Sequence, residues 1–456
     1  MSARDITLEL PGGVHIVVPD DLDVTTTYVL QEQGDWFEDE MRFVRAFARP
    51  GMRCIDAGAN FGVYALTFAG AAGPAGRVWA VEPGAQALAY LARSIAANEF
   101  QNLEILPCAL SRSDGRGFLG SADGPESRRL SGHDNGAAIE IRSLDSLAHE
   151  RGISGVDFMK IDVEGEEANV LAGAAQFLAR EIPLLMLEYR AEKALNEDVF
   201  APLYKNRLDC YRLVPSLNLL VPFYESEDAD EYQLNLFACG EARARQLSAD
   251  GLLVTTAAQA GNTNQRSIET LNRLPYAQHC EKSWRAWAGN ARGADADYAA
   301  ALGGFLAATD AGLTPAARFE ALDDAYVRLR KLTRTHFTPA HAASFIRVAQ
   351  AYGRRAEAVT VCRRLAAGIA STGAEIFVQP FLPPWPHYDN VAPGDDPAGW
   401  LRTAVVESFE QLFQFSSYFK QQLAPEFLGL AVAPRFLSAA YTRRAAVFAR
   451  RNASTR

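Results

Sequence analysis

Met52-Arg-Cys-Ile-Asp56-Ala-Gly58-Ala-Asn60-Phe-Gly62 reads as an apolar strand, an acid at the strand tip, and a turn with two glycines that opens a helix. Gly58 is expected to let the backbone approach a ligand closely, and Gly62 to let the following helix start tight against the sheet. A second apolar strand, Val78-Trp-Ala-Val-Glu82, also ends in an acid. In a parallel nucleotide-binding sheet, an acid there can accept hydrogen bonds from both ribose hydroxyls. A third strand, Phe158-Met-Lys-Ile-Asp162, runs into Val163-Glu164-Gly165. Three acid-tipped strands along one edge describe a site for an adenosine-bearing cofactor.

The rhythm around these pieces alternates strand and helix. Strands are expected at 52–56, 77–82, 103–107, 157–162 and 183–188, and helices at 61–71, 85–98, 144–150 and 166–179. That alternation predicts an α/β fold with a doubly wound, mostly parallel, Rossmann-like sheet. Further strands at 208–214, 219–223 and 232–238 would complete it, the last one antiparallel. Residues 1–23 alternate apolar and polar about Pro11-Gly-Gly13 and predict a β-hairpin appended to the core. Phe37, Met41, Val44 and Phe47 share one face of a helix expected from Trp36 and stopped by Arg49-Pro-Gly51. The polar, Gly- and Ser-rich run 111–142 breaks the rhythm and reads as an inserted loop, either a substrate-facing lid or a solvated surface segment.

Beyond about residue 250 the period becomes helical. Phe319, Leu322, Tyr326, Leu329 and Leu332 form one stripe, then Phe345, Val348, Ala349 and Tyr352, then Cys362, Leu365 and Ile369. The expected organisation is an N-terminal hairpin and helix at 1–50, a sheet domain at 51–249, and an all-α domain at 250–456. The run Phe377 to His387-Tyr388, rich in proline and aromatics, reads as a strap across helices or a docking segment.

Five segments in order resemble the FkbM-type family of S-adenosylmethionine-dependent methyltransferases: CIDAGANFGVYAL at 54–66, AVEPGAQAL at 80–88, CALSRSDG at 108–115, SLDSL at 143–147 and KIDVEGEEANVLAGA at 160–174. The resemblance covers roughly residues 24 to 190. It implies S-adenosylmethionine as cofactor, with Asp56, Gly58, Asn60 and Gly62 lining its methionine side. Glu82, followed by Pro83, would take the ribose hydroxyls, and Cys108-Ala109 with the Ser111–Asp114 turn would neighbour the adenine. Asp162 would border the same cofactor.

Methyl transfer from a sulfonium needs proximity, alignment and a base for the acceptor's proton. Asp162 and Glu164 are the leading base candidates, with Glu188 and His133 behind them. Lys160 sits inside a strand whose two faces should be covered, where a charge is costly unless paired. Alternation puts Lys160 and Asp162 on one face, so an ion pair is expected. The functional alternatives make Lys160 a cation that positions the acceptor, or a base if burial lowers its pKa. Methyltransferases that act on amino groups of bases or glutamine typically carry an Asn/Asp-Pro-Pro-aromatic turn where this chain has Asp162-Val-Glu164-Gly. The comparison therefore points to an oxygen acceptor: a sugar, glycan or secondary-metabolite hydroxyl. No metal is required, and His336, His341 and Cys362 lack metal-ligand spacing.

Composition narrows the alternatives. The 456 residues carry a net charge of −10, and 48% are apolar. An acidic chain with pI near 5.4 argues against a nucleic-acid surface. The six cysteines are scattered, and Cys54 and Cys108 fall in apolar patterns as small buried hydrophobes. Neither an N-terminal signal pattern nor a membrane-length apolar run is visible, so membrane insertion is not expected and a cytoplasmic location is. Two other functions compete: an NAD-binding oxidoreductase and an inactive binding module of the same fold. The first wants Gly-x-Gly-x-x-Gly with an acid about 20 residues on; here the turn opens with Asp56 and the acid is Glu82. The intact acids argue against the second. The helical domain is expected to recognise the acceptor or a partner, or to hold a homo-oligomer together.

Overall fold

The computed structural model describes residues 4–120, 130–131, 137–189, 195–224, 230–255, 268–278, 280–369, 374–420 and 422–454. The chain divides into two compact units, one of residues 1–213, 220–253 and 453–456, the other of 214–219 and 254–452.

The first unit opens with β1 (Asp5–Leu10) and β2 (Val14–Pro19), an antiparallel pair turned by Gly12 and Gly13, both at positive φ. The hairpin is not an appendage. Ile16 and Val18 are fully buried in the main core, and the Val17 N–H donates to Ser94 Oγ at 2.8 Å. An unforeseen helix, α1 (Thr25–Gln33), follows, and α2 (Glu40–Phe47) starts four residues later than expected. Its apolar side is Met41, Phe43, Val44 and Phe47, so the stripe was right except that Phe37 precedes the helix. The alternating part then runs β3 (Arg53–Ala57), α3 (Val63–Ala72), β4 (Arg77–Val81), α4 (Ala85–Ala97) and β5 (Leu103–Leu106).

The run 111–142 is not simply a loop. β6 (Ala109–Leu110), β7 (Gly115–Leu119), β8 (Leu130–Ser131) and β9 (Ala137–Arg142) make a separate four-stranded sheet, ordered β6-β9-β7-β8. Alternation in Ala-Ala-Ile-Glu-Ile-Arg at 137–142 was the signal for β9, and the surrounding polar residues masked it. His133 lies outside the described residues. The chain continues through α5 (Leu144–Arg151), β10 (Phe158–Ile161), α6 (Glu167–Ala172), α7 (Ala175–Glu181) and β11 (Leu184–Glu188). One helix was expected where α6 and α7 stand. It breaks at Gly173, where a Cβ would meet the backbone of Ser111 and Arg112. α8 (Leu195–Lys205), β12 (Asp209–Val214), β13 (Leu219–Pro222), β14 (Asn235–Cys239) and α9 (Glu241–Ala249) complete the element order.

The large sheet is ordered β13-β12-β14-β11-β10-β3-β4-β5. β3, β4, β5, β10 and β11 are parallel, and β14 runs antiparallel to both β11 and β12. This is the doubly wound α/β fold. Cys54, Ala80, Phe158 and Met186 face Phe43, Phe47 and Phe68 on one side; Ile55, Met159, Ile161 and Leu187 face Val170, Leu171 and Phe177 on the other. From β3 the chain builds outward to β5, then returns to lay β10 on the opposite flank. That reversal places the ligand crevice of such sheets at the carboxyl ends of β3 and β10.

The second unit is helical: α10 (Glu281–Asn290), α11 (Ala294–Ala308), α12 (Pro315–Thr335), α13 (Pro339–Tyr352), α14 (Arg355–Gly368), α15 (Pro397–Leu412), α16 (Ala424–Leu428) and α17 (Ala439–Ser454). Three starts are written in the sequence as a capping side chain before proline. Thr314, Thr338 and Asp396 accept from Ala317, His341 and Gly399 N–H, with Pro315, Pro339 and Pro397 at the first helical position. Leu322, Tyr326, Leu329 and Leu332 are buried as the stripe required. The proline-aromatic run packs as a strap: Phe381 and Tyr388 are fully buried, and Arg347 donates to the Pro383 carbonyl and pairs with Asp389 at 2.7 Å.

Candidate active site

The turn after β3 has Gly58, Asn60 and Gly62 all at positive φ. Its geometry is fixed by neighbours. Gly58 and Ala59 N–H donate to the Val81 carbonyl, and the Asn60 N–H donates to Glu82 Oε2 at 2.9 Å. Glu82 Oε1 accepts from the Gly84 N–H at 2.6 Å. Glu82 thus ties two loops together, each of its oxygens accepting from a backbone N–H. The structure adds a tertiary reason for each glycine. A Cβ on Gly58 would overlap the Asp162 carbonyl oxygen, so the glycine admits the end of β10. A Cβ on Gly62 would meet the Leu91 side chain of α4.

Asp56 is 1% exposed, and neither carboxylate oxygen has a hydrogen-bond partner among the described residues. Burial pushes its pKa up to about 6, against the pull of Lys160 and with a further push from Asp162; the Ala65 N–H favours the anion without reaching hydrogen-bond geometry. Lys160 is directly opposite Asp56 in the β10–β3 register, and its Nζ donates to Asp162 Oδ2 at 2.7 Å, the ion pair the alternation required. Burial disfavours the Lys160 ammonium, but Asp162, Asp56 and Glu38 outweigh it and raise the pKa well above the ordinary value. The condition for Lys160 as a base is therefore not met; it is a fixed cation.

Glu164 sits at positive φ in the turn after β10. That turn is held by Glu167, whose Oε1 accepts from the Val163 and Gly165 N–H groups at 3.1 Å each. Glu166 next to it accepts from Ser111 Oγ at 2.7 Å, joining the Ser111 turn to the same segment. Neither acid stood out in the sequence, because acids in a first helical turn are ordinary. Cys108 is buried at the turn between β5 and β6, with burial pushing its thiol up to about 11, and Ala109 enters β6. Pro83 is half-buried beside Glu82. Glu188 ends β11 in register with Asn235 of β14.

Sequence reasoning also missed Glu38. It lies in the stretch between α1 and α2, with Oε2 accepting from Tyr64 Oη at 2.5 Å and Asn235 Nδ2 at 3.0 Å. Lys160 Nζ stands 4.8 Å from the centre of the Tyr64 ring. Expecting a helix from residue 36 concealed Glu38 as one more surface acid on a helix face.

An adenosine-bearing sulfonium cofactor needs acceptors for a ribose diol and an ammonium, and a turn that does not obstruct it. The Glu82 carboxylate braced at the β4 tip and the unpartnered, buried Asp56 carboxylate supply such acceptors, so the residues present fit. Among the described residues, no cluster of three His, Cys, Asp or Glu could hold a metal ion.

The sheet, with acids at the strand tips beside its switch in strand order, has the architecture of a nucleotide-cofactor-binding α/β unit. Residues 56–206 match the family model described as Methyltransferase FkbM domain, so this part of the chain is an FkbM-type domain and S-adenosylmethionine is its cofactor. No curated protein matches the chain. Among solved structures, the chain is similar to the methyltransferase FkbM from Methylobacillus flagellatus KT, at 17% identity over 44% of this chain and 50% of that one, with a TM-score of 0.27. This chain thus spans half the length of that relative. An S-adenosylmethionine-dependent O-methyltransferase from Thermotoga maritima aligns at 14% identity over 52% and 77% of the two chains, TM-score 0.29. Aeropyrum pernix fibrillarin, with natively bound S-adenosyl-L-methionine, aligns at 13% identity over 52% and 99%, TM-score 0.27. Likenesses this distant carry no functional argument for this chain.

Proposed function

We propose that this chain is an O-methyltransferase acting on a hydroxyl of a sugar, glycan or secondary metabolite. The observation that carries the reading is the Lys160–Asp162 pair at the carboxyl end of β10, on the face of the sheet that also holds the unpartnered Asp56. S-adenosylmethionine supplies an electrophilic methyl group on a sulfonium with a good leaving group. The chain's own residues then have three tasks: hold the acceptor in line, exclude water, and take the hydroxyl proton. In this reading Asp162 or Glu164 takes the proton, and Lys160, paired with Asp162, orients it. Asp56, Gly58, Asn60, Gly62, Glu82, Pro83, Cys108, Ala109 and Asp162 form the cofactor cradle in this reading. An acid-rich centre repels phosphate, which favours a neutral acceptor over nucleic acid.

The test is Glu164→Gln. Methyl transfer into glycosides or metabolite extracts should fall about a hundredfold or more, the lower end of general-base effects being about 10², while affinity for S-adenosylhomocysteine stays within about twofold. Unchanged turnover would move the base elsewhere. The helical unit, in the same reading, recognises the acceptor or a partner protein. Loosening that unit alone should lower acceptor turnover and spare cofactor affinity; loss of cofactor binding would sink this role. A drop in mass by light scattering would assign it to self-association instead.

A further inference from the structure

The segment 34–39, Gly-Asp-Trp-Phe-Glu-Asp, separates α1 from α2 and is pinned at both ends of its course. Asp35 pairs with Arg45 at 2.5 Å, Gly34 takes positive φ, and the Trp36 and Phe37 rings lie 4.8 Å apart, both half-buried. Trp36 also packs against the main core. Glu38 is the residue of interest. Its Oε2 is saturated by two buried donors, Tyr64 from α3 and Asn235 from β14, while Oε1 takes no hydrogen bond from any described residue. One oxygen is therefore locked, and the other is presented as a preorganised acceptor. Glu38 also acts electrostatically on Lys160, Asp56 and Tyr64, which locates it at the same centre as the Lys160–Asp162 pair.

From this geometry we infer that segment 34–39 is an acceptor-facing wall of the methyl-transfer site, and that Glu38 is a specificity-determining residue that accepts a hydrogen bond from a second hydroxyl of a polyol acceptor. This rests on the O-methyl reading above and deepens it to a sugar-like ligand. Three observations favour that class. Glu38, Asp56 and Asp162 all act electrostatically on the one Lys160 ammonium, three acids to one cation, so the centre disfavours anionic ligands. A carboxylate locked through one oxygen suits a hydroxyl donor, which gives one short, charge-assisted bond. The Trp36 and Phe37 rings add an apolar surface of the kind a sugar's C–H face covers.

The experiment uses the full chain, labelled S-adenosylmethionine, and a panel of methyl glycosides with their single-deoxy analogues. Removing one hydroxyl, other than the one methylated, should lower kcat/KM of the parent about ten- to a hundredfold, the worth of a hydrogen bond to a charged group. Glu38→Gln should lose that discrimination, raising KM for the full glycoside towards that of the deoxy analogue with little change in kcat. S-adenosylhomocysteine affinity should hold, as should the thermal midpoint, because Gln keeps an oxygen for Tyr64 and Asn235. Retained discrimination in Glu38→Gln overturns the inference alone. Weakened S-adenosylhomocysteine binding with an unchanged acceptor KM overturns it too, by assigning Glu38 to the cofactor. A parent that methylates none of the glycosides overturns both this inference and the sugar reading beneath it.

Discussion

Glu410 and Glu407 of the helical unit and Asp56 and Glu38 of the sheet unit are treated in opposite ways. In the helical unit, Glu410 of α15 is fully buried and fully met: Lys420 Nζ at 2.6 Å, the Ala424 N–H at 2.5 Å, and the Arg444 guanidinium at 3.6 Å. Its neighbour Glu407 accepts from Tyr388 Oη at 2.9 Å and from both the N–H and the hydroxyl of Ser438. At the sheet edge, Asp56 is as deeply buried and has no hydrogen-bond partner among the described residues, and Glu38 has one oxygen locked while the other takes no hydrogen bond from a described residue. Buried polar groups are normally satisfied, and the exceptions need a cause. The helical unit spends its buried acids on holding helices together. In the proposed function, Asp56 and Glu38 are the acids of the sheet unit that ligands would complete.

The largest expected effect breaks the satisfied side of this contrast. Glu410→Ala strands Lys420 and Arg444 without their carboxylate and should cost about 3–5 kcal/mol. Denaturant unfolding followed by Trp fluorescence should show the loss, and S-adenosylhomocysteine should still bind. Equal stability would mean that the network is decoration.

The second effect sharpens the unsatisfied side. Asp56 has a folded pKa of about 6 against an ordinary 3.8, so its folded form holds the proton more tightly. Its contribution is fully present below about pH 4 and is lost as pH rises from about 4 to about 6, a swing of about 3 kcal/mol. Asp56→Asn should flatten that part of the stability–pH curve measured by urea unfolding of the ligand-free chain. A parent curve without the slope would contradict the buried, unpartnered state of Asp56.

Much of this was visible in the sequence, and the limits have physical causes. The strand tips at Asp56, Glu82 and Asp162 were legible because short apolar runs ended in acids before glycine or proline turns. The Lys160–Asp162 pair followed from alternation alone. The reason for Gly58 was not legible, since it lies in the approach of the Asp162 carbonyl 104 positions away, a tertiary fact. The small sheet β6–β9 was hidden by its polar composition. Glu38 was hidden by a helix assigned four residues too early, which turned a locked acceptor into a surface acid. Glu167 was hidden because its hydrogen bonds go to backbone N–H groups whose positions depend on the turn it holds.

The central claim is that the carboxyl edge of β3, β4 and β10 is the cofactor site and that Glu82 is its hinge. Calorimetric titration of S-adenosylhomocysteine into the full chain and into Glu82→Ala tests it most directly. The variant loses the acceptor for the Asn60 and Gly84 N–H groups as well as the proposed ribose contact. The expected outcome is about ten- to a hundredfold weaker binding, from the roughly 1.5–3 kcal/mol of a hydrogen bond to a charged group. Binding as tight as the parent's would contradict the account.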